Sequence, residues 1–438
     1  MIRLFDVRPR EVAVVAWCWL DIFSILSSYY IMRPIRDQAG VAGGVQNLQW
    51  LFTGTLVAML LLNIPFAYLV KRLPRQRFIA ITYHFFVVNI LLFAVLFHVA
   101  DAQTVWVGRI FFIWASSFNL FVVSTFWQLN VDVFSPEQGK RLFGLIAAGA
   151  TLGAIVGSAV TASLARHVPP MVLLVGAALL LEVAAFSAGR LSRLSEALRP
   201  RSLAAGAEAP IGGGVLAGIT HIVRSPYLLN VAVFLLLFSI TSTFLYFQQA
   251  AIVSGAFRDR GAQTAFFATV DLLVNVLTLV VQLLLTARIV MALGVALTLG
   301  VLPALTIVGF GALAAVPTLM AVAAFQVVRR AADYAVARPA RELLYTVASR
   351  EDRYKAKSLI DTVVYRTGDQ VGAWSVTLLR ALGLGVAQVS FAAIPLAALW
   401  LVNALWLGRR QERLAARQTV APETTGSPRT VATSPSPL

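Results

Sequence analysis

The chain has little charge and almost no cysteine. Only 13% of its 438 residues are charged, whereas 59% are hydrophobic, and the mean hydropathy is +0.79. A soluble domain of this length needs far more charge to cover its surface, so a soluble fold is excluded. The single cysteine, Cys18, excludes an intramolecular disulfide. The composition predicts an all-α integral membrane protein whose surroundings are the lipid bilayer.

The motifs of common enzymes are also missing. The sequence contains no P-loop, nucleophile elbow, Cys-x-x-Cys pair or metal-ligand cluster, and its four histidines are scattered. We therefore predict no enzymatic activity, no cofactor and no metal.

The formal net charge of +16 would suggest nucleic acid as the partner of a soluble protein. In a membrane protein the position of each charge matters more than the sum, and we predict no nucleic-acid partner.

Long apolar windows recur along the whole chain. Each lasts about 20 residues, which is the length that a helix needs to cross a hydrocarbon core of ~30 Å. The windows cover residues 12–32, 49–70, 78–100, 104–130, 142–165, 171–189, 227–250, 263–287, 291–315, 318–345, 359–381 and 386–407. The sequence therefore predicts twelve transmembrane helices.

Basic residues between the windows alternate between dense and sparse loops. Dense clusters follow windows 2, 4, 6, 10 and 12, at residues 71–77, 140–141, 190–224, 350–357 and 409–417. Because cytoplasmic loops carry the excess of Lys and Arg, this alternation predicts that both termini lie in the cytoplasm.

A polar interruption divides the windows six from six. We predict an amino-terminal half (1–189), a cytoplasmic linker (190–226), a carboxy-terminal half (227–416) and a disordered cytoplasmic tail rich in Thr, Ser and Pro (417–438). An internal repeat supports the division, since SPEQGKRLFGLI at 135–146 aligns without gaps with SREDRYKAKSLI at 349–360. Equivalent loops of this kind predict two six-helix halves with major-facilitator-like pseudo-two-fold symmetry.

Polar residues inside the windows fall on defined faces. In window 8, Thr264, Asp271, Asn275, Thr278 and Gln282 lie within a sector of roughly 60° of a helical wheel. We call these five residues the polar seam, and we expect it to face the protein interior.

Windows 10 and 11 carry more charge. In window 10 a sector of roughly 140° holds Gln326, Arg330, Asp333, Tyr334, Arg338 and Arg341, and leaves Arg329 and Glu342 outside it. Window 11 adds a polar face of its own. Because ionisable groups at membrane depth are functional candidates by default, we expect these faces to converge on a central aqueous cavity.

The arginines in or at the membrane outnumber the acids that can pair with them, which favours an anionic ligand because guanidinium binds phosphate and carboxylate in a bidentate manner. The predicted substrate-binding residues are Arg33, Arg36, Arg109, Arg330, Tyr334, Arg338, Arg341 and Arg366. The predicted gating or proton-coupling residues are Asp21, Asp271, Asn275, Asp333, Glu342, Asp361 and Asp369. The alternative for any one of them is a structural ion pair or interhelical hydrogen bond.

Two short motifs stand out. The pattern Tyr-x-x-x-Arg-Pro-x-Arg-acid occurs in YYIMRPIRDQAG (29–40) and again in YAVARPARELLY (334–345), which suggests two Arg-Pro gate elements at opposite mouths. The alternative for Arg33 and Arg36 is snorkelling to lipid headgroups at the end of window 1.

In window 5, Gly149, Gly153 and Gly157 are spaced four apart, which predicts a close contact between helices.

Three blocks of the chain resemble the bacterial branch of the ATP/ADP translocase family, which is related to the major facilitator superfamily. They are YYIMRPIRDQAG, FWQLNVDVFSPEQGKRLFGLIAAGATLGAIVG and RRAADYAVARPARELLYTVASREDRYKAKSLIDTVVYRTGDQ. The resemblance implies a twelve-helix nucleotide or anion exchanger of the bacterial inner membrane that works by alternating access. One departure is that Lys71, Lys140, Lys355 and Lys357 all lie in loops, whereas the exchangers use lysines within the membrane.

The expected function is therefore secondary active transport of an organic, phosphorylated, nucleotide-like anion. Two alternatives stay open: proton-coupled efflux of an amphipathic small molecule, and a membrane sensor or assembly factor that transports nothing. The direction of transport, the coupling mode and the oligomeric state stay open as well.

Overall fold

The structure is a computed structural model that describes residues 7–9, 11–99, 104–198, 222–348 and 356–420. The described residues are almost entirely helical and contain no β-strand. The amino-terminal half consists of α1 (Val12–Ala42), α2 (Leu48–Arg72), α3 (Arg75–Val99), α4 (Thr104–Val133), α5 (Pro136–Leu164) and α6 (Pro170–Leu198).

Six further helices form the carboxy-terminal half. They are α7 (Pro226–Ala256), α8 (Arg260–Leu284), α9 (Thr286–Ala315), α10 (Leu319–Ala332, continuing at Arg338–Leu344), α11 (Tyr365–Ala381) and α12 (Val386–Val420). A helix therefore lies in every one of the twelve predicted windows, and the predicted all-helical fold in two six-helix halves is confirmed. We call the end of the bundle that carries Val12 and Val420 the terminal face, and the end that carries the α1–α2 turn the distal face.

Some helices run further than the apolar windows. Helix α1 continues through Pro34 to Ala42, so Arg33 and Arg36 lie within the helix and not at its end. Snorkelling is therefore the wrong account of these two arginines, since the helix continues for six residues beyond Arg36 and Arg36 is only 13% exposed. The end of α6 covers residues 190–198 of the predicted linker, and α12 covers 417–420 of the predicted tail. The remainder of the tail and most of the linker lie outside the described residues.

Ten helices of the described part are long and apolar enough to cross a membrane. The other two, α10 and α11, fall short because their longest α-helical segments are charged and have only 14 and 17 residues. A π-helical turn at Asp333–Ala337 divides α10, and a second one at Ile360–Val364 precedes α11. Such turns insert one extra residue per turn and are frequent at functional sites. They change the direction of every side chain that follows, relative to an ideal helical wheel.

Glycines bring α5 into close contact with α1, as the sequence predicts. Built on Gly149, Gly153 and Gly157, a Cβ atom would meet the backbone of Trp19, Phe23 and Ser27 respectively. In the other half, the Cβ positions of Gly368 and Gly372 on α11 meet atoms of Ser239 and Thr243 on α7. The α1–α5 and α7–α11 contacts occupy equivalent places in the two halves, which agrees with the internal repeat.

A break in α9 is closed by the extension of α12. Gly294 has φ 69° and ψ −179°, a conformation that favours glycine and interrupts the helix. The carboxylate of Glu412 accepts a hydrogen bond of 3.1 Å from the backbone N–H of Ala296, just after the break. The extension of α12 beyond the predicted window therefore caps the main segment of α9.

A buried carboxylate joins α1 to α5 at the terminal face. Glu11 accepts hydrogen bonds from Arg141 Nη2 (2.8 Å), Gln138 Nε2 (2.9 Å) and the backbone N–H of Arg8 (3.0 Å). Burial acts to raise the pKa of Glu11, but these hydrogen bonds and the charge of Arg141 outweigh it and lower the pKa to about 2. Gln138 also completes a capping box with Ser135, which fixes where α5 begins.

We expect Gly153→Ala to destabilise the protein by about 1–3 kcal/mol, because the added methyl meets the Phe23 backbone and α5 must move away from α1. Gly144→Ala is the matched control on the same helix, since no described residue outside its own helical turn lies within 4 Å of its Cβ position. Thermal unfolding in detergent, followed by tryptophan fluorescence, measures both variants. Equal midpoints for the two variants would contradict the proposed contact.

We expect Glu11→Gln to remove a pH-dependent contribution to stability of about 1–3 kcal/mol. Because the folded pKa lies below the ordinary value of 4.5, the contribution is present above about pH 5 and is lost as the pH falls through about 2. The measurement is the difference in unfolding free energy between wild type and variant from pH 7 to pH 3. A difference that stays constant over this range would show that Glu11 is not held as a paired carboxylate.

Candidate functional site

A cavity of about 710 Å³ lies between the two halves. Four helices of each half contribute to its walls, and they are symmetry equivalents: α1, α2, α4 and α5 in one half, and α7, α8, α10 and α11 in the other. The cavity is therefore a shared site, and a change in the relative position of the halves changes its shape.

The cavity carries a surplus of positive charge. Among its described lining residues are six arginines, Arg33, Arg36, Arg329, Arg330, Arg338 and Arg366, and four aspartates, Asp37, Asp271, Asp333 and Asp369. The formal excess is two positive charges. Burying unpaired charge at this depth is costly, so the excess needs a physical explanation.

One of the two excess positive charges arises because two arginines pair with a single carboxylate. Asp271 Oδ1 lies 2.6 Å from Arg330 Nη1 and 3.3 Å from Arg33 Nη1. Arg33 comes from α1 and Arg330 from α10, so this cluster joins the two halves. We call these three residues the bridging triad.

The second excess positive charge is that of Arg329. Among the described residues, its guanidinium donates to neutral oxygens only, namely the hydroxyls of Thr306, Ser242 and Thr241 and the carbonyl of Phe238, at 3.0–3.3 Å. The side chain also lies over the rings of Phe238 and Trp400. These contacts orient the guanidinium without neutralising its charge.

The remaining three arginines are paired within their own half. Arg36 donates to the adjacent Asp37 at 2.6 Å, and the hydroxyl of Tyr246 on α7 donates to the same carboxylate oxygen at 3.1 Å. Arg338 pairs with Asp333 at 3.2 Å on α10.

The third pair lies on α11. Arg366 and Asp369 are 3.1 Å apart, and Ser239 Oγ of α7 donates to the same aspartate at 2.6 Å. Because each of these pairs stays within one half, it survives a movement of one half against the other.

Aromatic rings line much of the rest of the cavity. They are Tyr29, Tyr30, Phe52, Phe112, Phe238, Tyr246, Phe267, Tyr334 and Tyr365. Several of them lie beside the arginines, including Tyr30 beside Arg33 (5.6 Å) and Tyr334 beside Arg338 (4.4 Å). A site that combines rings with guanidinium groups accommodates a ligand with both an apolar or planar part and a negative charge.

The cavity is closed at the distal face. Here Thr53 Oγ1 of α2 lies 2.9 Å from Gln370 Oε1 of α11, and Trp50 packs edge to face on Trp374 with ring centroids 4.9 Å apart. The exposed fraction of the arginine side chains rises towards the other end, from 13% at Arg36 to 17% at Arg33 and 54% at Arg338. The cavity therefore opens towards the terminal face.

Most of the predicted substrate-binding residues come together in the cavity. Arg33, Arg36, Arg330, Tyr334, Arg338 and Arg366 line it, whereas Arg109 and Arg341 do not. Arg109 donates to the carbonyl of Gly43 at 2.9 Å and lies over Trp106, so it supports the α1–α2 turn. Arg341 follows the π-helical turn of α10, which rotates it away from the face predicted by the ideal wheel.

The predicted gating residues divide in the same way. Asp271, Asn275, Asp333 and Asp369 line the cavity. Asp21 lies in the core of the amino-terminal half, where the hydroxyl of Tyr83 is 3.4 Å away, and Glu342 pairs with Lys357 at the terminal face. Asp361 lies in the π-helical turn before α11, outside the cavity.

The structure also adds residues that the sequence reasoning missed. Asp37 follows Arg36 directly in the sequence, and this adjacency was an available signal. Arg329 was excluded by the helical wheel, yet its long side chain reaches the cavity wall among the hydroxyls of α7 and α9. Tyr246 of α7 has no sequence signal that separates it from the other aromatic residues of this apolar helix, whereas Gln249 is a polar residue inside an apolar window, the same signal that marks the polar seam.

Comparisons with known proteins place the fold. The sequence matches no protein-family model and no protein of curated function. Among solved structures, it is similar to a bacterial homologue of the iron transporter ferroportin in an inward-facing state, with 11% identity, a TM-score of 0.64, and 91% of this chain and 99% of that chain covered.

Two further structures give the same result. A bacterial homologue of the human lysosomal transporter Spinster, inward-facing and unoccupied, has 14% identity and a TM-score of 0.60 over 93% of this chain and 99% of that chain. The nucleoside transporter NupG has 12% identity and a TM-score of 0.57 over 93% of this chain and 100% of that chain. The architecture is therefore the twelve-helix, two-halved fold of major-facilitator-type transporters.

We expect a double variant with Thr53→Cys and Gln370→Cys to cross-link across the distal face, because the two side chains touch. The buried Cys18 is first replaced by serine, which leaves a cysteine-free background. A short bifunctional methanethiosulfonate reagent on the unliganded protein, with gel mobility as the readout, measures the yield. Each single variant is the control, and a double variant with no more cross-linked product than the controls would contradict distal closure.

Proposed function

We propose that the protein is a secondary transporter that moves an organic, phosphorylated anion across the bacterial inner membrane by alternating access. The observation that carries the proposal is the cavity between the halves, with six arginines against four aspartates. Excess guanidinium in a buried site is stabilised by an anion, and phosphate is the anion that its planar, forked donors match best.

The aromatic lining supports an organic ligand over a bare inorganic ion. A cavity of about 710 Å³ is within the range of small-molecule sites, and nine of its lining residues are aromatic. Stacking on the rings supplies binding energy to a planar group, while the arginines hold the charged end. A nucleotide-like anion combines these two parts, which agrees with the resemblance of the three sequence blocks to nucleotide exchangers.

The arrangement of contacts supports alternating access as the mechanism. The distal face is closed by α2 and α11, and the cavity opens towards the terminal face. By the positive-inside distribution of Lys and Arg, the terminal face is cytoplasmic, so this conformation receives ligand from the cytoplasm. An anion bound between Arg33 and Arg330 contacts both halves at once, and rocking of the halves then exposes it to the other side.

The similar structures support transport in general. One is described as a nucleoside transporter and another as a homologue of an iron transporter. Because their cargoes differ, the assignment of an anion to this protein depends on its own arginines.

We expect nucleotides or sugar phosphates to raise the unfolding midpoint of the purified protein by a few degrees, because a ligand at about 100 times its dissociation constant adds about 2.7 kcal/mol. The panel is ATP, ADP, a sugar phosphate, inorganic phosphate, a dicarboxylate and a lipophilic cation. Arg330→Gln should abolish the shift, since Arg330 is a cavity arginine of the bridging triad.

Arg380→Gln is the matched control, since Arg380 lies in the last turn of α11, donates to Phe247 and Gln248 and is not among the described cavity residues. It should keep the ligand shift. Stabilisation by the lipophilic cation alone would favour efflux of amphipathic solutes. An unchanged midpoint with every member of the panel would overturn the proposed anion site.

A further inference from the structure

We propose that Asp271 is an internal anion that takes the place of the transported anion between Arg33 and Arg330, and so allows the empty protein to close and return. This inference rests on the proposed function. If the empty protein can return, the protein can move anions in one direction and is not limited to a strict exchange of one anion for another.

The hydrogen-bonding groups of the bridging triad are only partly paired. Arg330 donates a hydrogen bond to Asp271 Oδ1, and Arg33 forms an ion pair with the same oxygen at 3.3 Å. Among the described residues, Asp271 Oδ2 has no hydrogen-bond partner. Arg33 Nε and Arg330 Nη2 are also buried, with no hydrogen-bond partner in the described part of the chain. Buried donors of this kind are costly to leave unpaired, so the cluster retains capacity for a further acceptor. An anion with several oxygens can use the free donors and displace the aspartate.

Asp271 differs in this respect from the other aspartates that line the cavity. Asp37, Asp333 and Asp369 pair with Arg36, Arg338 and Arg366 of their own half. Of the four, only Asp271 forms ion pairs with arginines of both halves. Its side chain is 3% exposed, whereas those of Arg33 and Arg330 are 17% and 15% exposed, so the carboxylate is enclosed while the arginines stay accessible from the cavity.

Because the triad joins the two halves, it determines whether the halves can come together at the distal face. Arg33 and Arg330 approach each other from opposite halves, and two like charges repel strongly at low dielectric. A conformation that brings them together therefore needs an anion between them. In a protein without an internal anion, only the loaded form can isomerise, and the result is strict exchange. Asp271 supplies that anion in the empty form, so the empty protein can isomerise too.

The first experiment tests the bridge without any assumption about the substrate. It introduces Asp271→Asn into the Thr53→Cys, Gln370→Cys, Cys18→Ser background and measures distal cross-linking of the empty protein. We expect the yield to fall at least fivefold, because the two arginines then repel each other. Inorganic phosphate at a high concentration should restore it. Asp369→Asn is the comparison variant, and it should not produce this phosphate-dependent pattern, because its arginine lies in the same half.

The second experiment uses proteoliposomes and labelled ADP, with labelled inorganic phosphate in parallel. Net uptake into empty vesicles should fall at least tenfold in Asp271→Asn, while counterflow into vesicles preloaded with the same anion should persist. The midpoint shift produced by the anion should increase in the variant, because the competing carboxylate is gone.

The outcomes separate the two proposals. Wild-type cross-linking in Asp271→Asn would overturn the internal anion, whatever the substrate is. Equal loss of net uptake and counterflow, together with weaker anion binding, would also overturn it and would make Asp271 a direct ligand contact. Failure of the wild type to bind any anion would instead refute the proposed function, and the cross-linking result would still decide whether Asp271 bridges the halves.

Discussion

The structure depends on one constraint, which is that guanidinium groups buried inside a membrane protein need negative or strongly polar partners. Six arginines line the cavity between the halves, and every one of them has a defined acceptor. The partners differ in kind: three aspartates each serve one arginine, one aspartate serves two, and a set of hydroxyls and a carbonyl serves the last. This uneven distribution leaves the charge surplus on which the proposed anion site depends.

The same constraint explains why charge and helix irregularity occur together. Helices α10 and α11 carry six of the seven charged residues that the carboxy-terminal half contributes to the cavity, and both contain or adjoin a π-helical turn. A π-helical turn frees backbone groups and shifts side chains, which is tolerated in a membrane where the helix is buried in protein or borders a polar cavity. These two helices are consequently also the ones that fall short of an uninterrupted apolar span.

The fold was predictable from sequence because hydrophobic length is a strong signal, and the close α1–α5 contact was predictable because its three glycines are spaced by one helical turn. The polar seam of α8 was predictable for the same reason, since α8 is regular and Asp271, Asn275, Thr278 and Gln282 all reach the cavity. The positions of Arg341 and Asp361 could not be predicted, because no sequence signal marks the π-helical turns. The prediction for Arg109 was wrong because a helical wheel of one helix does not show which neighbouring helix a residue faces. The pairing of Asp271 with two arginines depends on three helices that are distant in sequence, and only the tertiary structure brings them together.

The cap that Glu412 places on α9 has a practical meaning for anyone who handles this protein. The hydrogen bond to Ala296 joins a residue of the last helix to the break at Gly294, more than a hundred positions earlier in the chain. A truncation that keeps α12 through Val420 retains this cap, whereas one that stops at the end of the apolar window, near residue 407, removes it. The expression boundary that hydropathy alone would recommend is thus the wrong one, and a purification tag belongs after the helical extension.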